Sequence, residues 1–171
     1  KKVTSEIKKP ITCIIGGSKI STKIGVITSL IKKVDNIIIV GAMANNFIKF
    51  KGNKIGKSLV ESNSEKIVKK IFDNAKEDGC KIFIPIDVGV SETTDGKAKL
   101  KQLYSLTEND RILDIGPKTI KKIFEIIDSS KTVLWNGPAG YFENKNFING
   151  TMSIAETISK NTYANSLISV L

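Results

Sequence analysis

At 171 residues and 40 % hydrophobic content, the chain has the size and apolar mass of one domain around one core. Its formal charge of +10 points to an anionic partner, yet of 27 basic residues only Arg111 is arginine, and the lysines are scattered in ones and twos. A surface that draws in anionic metabolites is therefore expected rather than a nucleic-acid interface.

Histidine is absent. Ser-His-Asp and Cys-His nucleophilic sites and histidine-built zinc sites are excluded. Lysines, carboxylates and backbone amides remain, an inventory that suits phosphoryl transfer, which is mostly positioning and charge neutralisation. No window approaches the roughly 20 consecutive apolar residues of a membrane span. The lysine-rich start is not followed by an apolar stretch and cleavage site. A soluble, cytoplasmic chain with no membrane partner is expected. Cys13 and Cys80 each lie in an apolar run and read as small buried hydrophobes rather than as a disulfide or metal ligands.

In chain order, residues 1–9 are polar and read as a flexible segment. Residues 11–15 form an apolar strand ending at Gly16-Gly17, and Ile24, Ile27, Leu30 and Ile31 then recur at helical spacing. Residues 36–40 read as a second buried strand closed by Gly41, with a helix over 42–50. Apolar positions Ile67, Val68, Ile71, Phe72 and Ala75 give an amphipathic helix over 64–78, stopped at Gly79. Residues 81–85 make a third strand. Periodicity fails from Asp87 to Asn109, where Thr94-Asp95-Gly96 marks a turn and a hairpin fits. Residues 111–117 read as a short strand and loop, with Pro117 opening a helix. Thr132 to Trp135 form the next strand, 147–160 a helix and 167–171 a last strand. Strand and helix alternate five or six times, so the predicted fold class is α/β: a three-layer αβα, Rossmann-like domain with a mostly parallel sheet.

Two loops carry candidate chemistry. Gly16 and Gly17 let the backbone approach a ligand, the following helix directs its free amides at the loop, and Lys19 and Lys23 converge on one anion if that helix begins by about Ser21. The same pattern also suits an ordinary strand-to-helix turn with two solvated lysines. The run Trp135-Asn136-Gly137-Pro138-Ala139-Gly140-Tyr141-Phe142-Glu143 follows a buried strand, where open α/β sheets bind ligands. Asn136 offers an amide, Pro138 a rigid apolar surface, Tyr141 a wall and Glu143 a carboxylate for two hydroxyls. A tight turn around a core tryptophan is the plainer alternative. Gly52 to Ser58 imitates a P-loop but has three rather than four residues between its glycines and no preceding strand, and so reads as a surface loop.

With Gly41-Ala42-Met43-Ala44, Gly56 to Glu61, Pro85 to Val88 and Leu113 to Thr119 in the same order, these loops resemble the nucleotide-binding half of the phosphoglycerate kinase family. The resemblance runs from about residue 10 to 171. It implies ADP or ATP as ligand, with magnesium carried by the nucleotide and no metal site of the chain's own. It implies Gly17, Lys19, Lys23, Gly41, Leu113, Asn136, Pro138, Tyr141 and Glu143 as nucleotide contacts, with Lys19 also catalytic. Ser18 stands where alanine is usual, Val40-Gly41-Ala42 where a glycine run is common, and Ile112 in place of a frequent glycine.

The family reaction moves a phosphoryl group reversibly from 1,3-bisphosphoglycerate to MgADP, giving 3-phosphoglycerate and ATP. The domain that binds the acyl phosphate, the Gly-Gly-Gly-Asp loop beyond the last strand and the family's final elements are not in this sequence. The expectation is a partial nucleotide-binding domain over 10–171 that does not turn over alone, and that meets 3-phosphoglycerate only if an N-terminal domain is supplied. A nucleotide-binding module or half of a split enzyme is the alternative, and an unrelated basic interaction protein the third reading. An apolar face near Leu167 and Val170 is expected to lie uncovered.

Overall fold

The computed structural model describes residues 7–164 and 166–170. Residues 1–6 of the segment expected to be flexible, and Leu171, lie outside the described residues. Five strands, β1 (Ile11–Ile15), β2 (Asn36–Ile39), β3 (Lys81–Phe83), β7 (Thr132–Asn136) and β8 (Ile168–Val170), form one parallel sheet in the order β3-β2-β1-β7-β8. Cys13 of β1 lies opposite Ile37 on one side and Leu134 on the other. The chain starts in the middle, builds outward through β2 and β3, then returns to the other side of β1. That reversal, between β1 and β7, opens the crevice at which open α/β sheets take ligands.

All five residues of β1 are buried, four of them apolar and one the threonine Thr12, and its alternate side chains serve opposite layers. Ile11, Cys13 and Ile15 pack with α1 (Ile24–Ile31), α2 (Ala44–Phe50) and α3 (Glu65–Glu77). Ile14 joins Ile38 and Val133 beneath α4 (Pro117–Ser129) and α5 (Asn149–Tyr163). Thr12 shares that second face; its hydroxyl meets Ser130 Oγ at 2.7 Å, so the buried polar atom is paired. The expected three-layer α/β architecture is present.

Four details differ from the expectations. The stretch read as irregular holds β4 (Asp87–Ser91) and β5 (Lys99–Gln102), joined as the hairpin that the Thr94-Asp95-Gly96 turn suggested. With β6 (Arg111–Ile115) they make a second, antiparallel sheet in the order β5-β4-β6, so β6 is not a strand of the parallel sheet. Local periodicity could not show this: in β4 the polar Asp87 and Ser91 are as buried as Val88 and Val90, which erases the alternation. Thirdly, α1 begins at Ile24 rather than by Ser21. Thr22 Oγ1 donates to Lys19 O at 3.0 Å, and the amide and hydroxyl of Ser21 are both taken by Glu61, so local bonds hold the preceding turn out of the helix. Finally, Leu167 is buried in the α4/α5 cluster and the β8 residues are half-buried, so the bare apolar face expected there is covered at Leu167.

One carboxylate fastens the second sheet to α4. Asp87, buried at the start of β4, accepts from Lys118 N at 3.0 Å and from Thr119 N and Oγ1 at 2.7 Å, capping α4 from a distant strand. Pro117 opens α4 at a position where no amide is needed.

Candidate functional site

The crevice is closed by backbone rather than by side chains. Gly16 N donates to Asn136 O at 2.7 Å, Gly41 N to Ala139 O at 3.1 Å, Met43 N to Gly17 O at 2.8 Å and Tyr141 N to Leu113 O at 2.7 Å. The ends of β1, β2, β6 and β7 are thereby stitched together. Glycine is required at two of these points. A Cβ on Gly16 would lie 2.1 Å from Pro138 O, and one on Gly41, where φ is +68°, would lie under 3 Å from Gly17 and Pro138 backbone atoms.

A cavity of about 470 Å³ opens over this junction, a size that suits a nucleoside-scale ligand. Six residues singled out in the sequence, Gly17, Gly41, Leu113, Pro138, Tyr141 and Glu143, line it, drawn from four separate segments. Asn136, Lys19 and Lys23 do not. Asn136 is exposed at the end of β7, where its Oδ1 accepts a hydrogen bond from Lys23 Nζ, so these two are brought together across the switch point. Lys19 is exposed on the turn between Gly17 and α1, and the helix-face convergence of the two lysines does not form because the helix starts too late. The turn is held instead by Glu61, whose carboxylate accepts from Ser21 N at 2.8 Å and Ser21 Oγ at 2.6 Å. Those bonds, the hydroxyl's first, hold the Glu61 carboxyl below its ordinary pKa, with Lys19 adding a smaller pull.

The loop beyond Tyr141 is fastened to the hairpin turn: Asn144 Nδ2 donates to Thr94 O at 2.8 Å and Asn146 Nδ2 to Gly96 O at 3.1 Å. The small antiparallel sheet thus supplies one wall of the cavity, including Thr94, Val88 and Ile112. The P-loop imitation serves the architecture instead of a phosphate. Lys57 N donates to Asp110 O at 2.8 Å and Ser58 Oγ accepts from Ile112 N at 2.8 Å, pinning α2's exit to β6.

Sequence reasoning missed Asp114. This buried carboxylate lines the cavity and accepts from Gly150 N at 2.9 Å and Ile115 N at 2.8 Å. A Cβ on either Gly140 or Gly150 would come within 2.4 Å of its Oδ1. Burial pushes its pKa up to about 6, against the two amide bonds that lower it. The signal was a lone acid inside the apolar run Ile112 to Ile115. Asn45 and Arg111, which also line the cavity, were missed too. Arg111 carried a signal, as the only arginine in the chain. Among the described residues no group of three His, Cys, Asp or Glu side chains is placed to hold a metal ion, and no helix is long and apolar enough to cross a membrane.

The phosphoglycerate kinase family profile matches residues 1–170. The phosphoglycerate kinase of Wolbachia pipientis subsp. Culex pipiens is 44 % identical over 95 % of the chain, and that of Finegoldia magna 44 % over 93 %. Among solved structures, phosphoglycerate kinase from Coxiella burnetii superposes with a TM-score of 0.86 at 31 % identity, covering 98 % of this chain and 48 % of that one. The chain spans 41 % of the length of each of the two curated relatives. Profile, relatives and superposition agree with the crevice geometry, and the chain belongs to the phosphoglycerate kinase family.

Proposed function

We propose that residues 10–171 form the nucleotide-binding part of a phosphoglycerate kinase, taking MgADP or MgATP at the β1/β7 crevice. The observation that carries this reading is the convergence of Gly17, Gly41, Leu113, Pro138, Tyr141 and Glu143 on one cavity at the switch point. In this reading Leu113 and Pro138 flank the base, Tyr141 walls the nucleoside and Glu143 accepts from the ribose hydroxyls. Asn136 and Lys23, already bonded to one another, and the exposed Lys19 face the phosphates. Magnesium arrives with the nucleotide, and the lysine ammonium groups neutralise the remaining phosphate charge, Lys19 also during transfer. The family's reaction, reversible phosphoryl transfer between 1,3-bisphosphoglycerate and MgADP in glycolysis, is the activity to which this site contributes in the cytoplasm.

Because the matched relatives are more than twice as long, the 171-residue chain by itself is expected to bind nucleotide without turning over. The acyl-phosphate side then has to come from another polypeptide segment, which makes a split-enzyme half the second reading. Calorimetric titration of the folded chain with MgADP tests the proposal. Saturable binding that Lys23→Ala weakens supports it; a folded chain that binds neither ADP nor ATP refutes it.

A further inference from the structure

The run Gly56 to Glu61 touches both the cavity and the lysine turn: Leu59 lines the first, and Glu61 bonds Ser21 in the second. The run itself is firmly held. Ser58 Oγ accepts from Ile112 N at 2.8 Å, Leu59 O accepts from Asn45 Nδ2 at 3.0 Å, and Glu61 N donates to Asn46 Oδ1 at 3.0 Å. Asn45 and Asn46 are buried in the first turn of α2, and Asn46 is oriented in its turn by the bond from its Nδ2 to Met43 O at 3.0 Å. The backbone of Glu61 is thereby fixed from the buried side of α2.

The turn that Glu61 reaches has fewer holds of its own. Gly17 O accepts from Met43 N at 2.8 Å and Ile20 is fully buried, but Lys19 and Ser21 are exposed and lie ahead of α1. Ser21 gives Glu61 both of its donors, the amide to one carboxylate oxygen at 2.8 Å and the hydroxyl to the other at 2.6 Å. Two charge-assisted bonds to one residue fix its backbone and its side chain together, where a single bond would leave it free to swivel. Thr22 Oγ1 then closes the turn back onto Lys19 O at 3.0 Å.

We propose that Glu61 is a positioning residue for the phosphate end of the site, holding the Ser21 turn so that the Lys19 ammonium is in place before the nucleotide arrives. This inference rests on the nucleotide reading of the crevice. Glu61 faces the turn with a negative charge, and loss of that charge beside Lys19 would by itself favour an anionic ligand. Weaker nucleotide binding on removing the carboxylate therefore has to come from lost order in the turn, since a residue left to be fixed by the ligand draws on the binding energy.

The test is a double-mutant cycle on MgADP affinity, measured by calorimetry on the chain, the single variants Glu61→Ala and Lys19→Ala, and the double variant. Glu61→Ala is expected to weaken MgADP about tenfold when Lys19 is present and less than about twofold when Lys19 is alanine. A residue that only supported the fold would give losses that add. Glu61→Gln, which keeps one acceptor, is expected to fall between the parent and Glu61→Ala. Ser21→Ala removes only the hydroxyl bond of an exposed side chain and carries the same cycle with Lys19→Ala if Glu61→Ala does not fold. Affinity unchanged or raised in folded Glu61→Ala, additive losses in the double variant, or a Lys19→Ala variant that binds MgADP like the parent overturns the positioning role while leaving the nucleotide site standing. Folded parent chain that binds no MgADP overturns the nucleotide reading itself.

Discussion

The two sides of the crevice are built on opposite principles. Around Gly16, Gly41 and Ala139, backbone meets backbone at distances that leave no room for a methyl group, whereas the turn bearing Lys19 and Lys23 is exposed and held by a few polar side-chain bonds. The first side sets position and the second supplies charge. Mutations should therefore separate into those that cost stability and those that cost binding.

The largest effect is expected at the rigid side. Gly16→Ala drives a Cβ into Pro138 O, which sits on a stitched loop and cannot give way. A loss of ~3 kcal/mol or more, read as a melting midpoint lower by ~10 °C, is the expected outcome. A variant that melts like the parent would show that the junction is looser than its geometry.

Asp114 sharpens the same side through pH. Its pKa is about 6 in the folded chain against an ordinary 3.8, so between those values the folded state binds more protons than the unfolded one. Its contribution is fully present below pH 3.8 and is lost as pH rises through 6, on the order of 3 kcal/mol in all. Denaturant unfolding of the parent and Asp114→Asn across pH 4 to 7.5 should show the parent losing that much relative to the variant as pH rises. A constant gap would remove Asp114 from the account.

On the charged side, Lys23→Ala should weaken MgADP about tenfold or more, while stability changes by less than ~0.5 kcal/mol. If this variant melted early instead, the division between the two sides would collapse. The smallest effect is expected far from both, at the exposed Lys69–Asp73 pair on α3, where Lys69→Ala should cost no more than ~0.5 kcal/mol and leave nucleotide affinity unchanged.

Sequence alone shows the stitched side well, because glycines at strand ends and β-branched runs state their backbone geometry locally. Gly16-Gly17, Gly41 and the loop from Trp135 fall where the strand pattern puts them. What sequence does not show is how distant segments pair. Arg111 to Ile115 has the composition of a parallel-sheet strand, yet its partner is β4 in the second sheet, twenty or more residues away. The same limit hid the role of Asp87 as the cap of α4 and of Asp114 as the buried carboxylate under α5, since each accepts from an amide more than thirty residues downstream. The late start of α1 escaped because Ser21 is captured by Glu61, forty residues on.

Trp135 carries a practical consequence. It is the only tryptophan in the chain, half-buried at the end of β7, with its indole N–H bonded to Gly137 O at 2.7 Å and Phe142 and Thr151 sharing its small cleft. All of the chain's tryptophan fluorescence therefore originates one residue from Asn136, at the strand end that leads into the crevice loop. The emission of this single indole therefore reports, without any label, on the packing where β7 passes into the crevice loop.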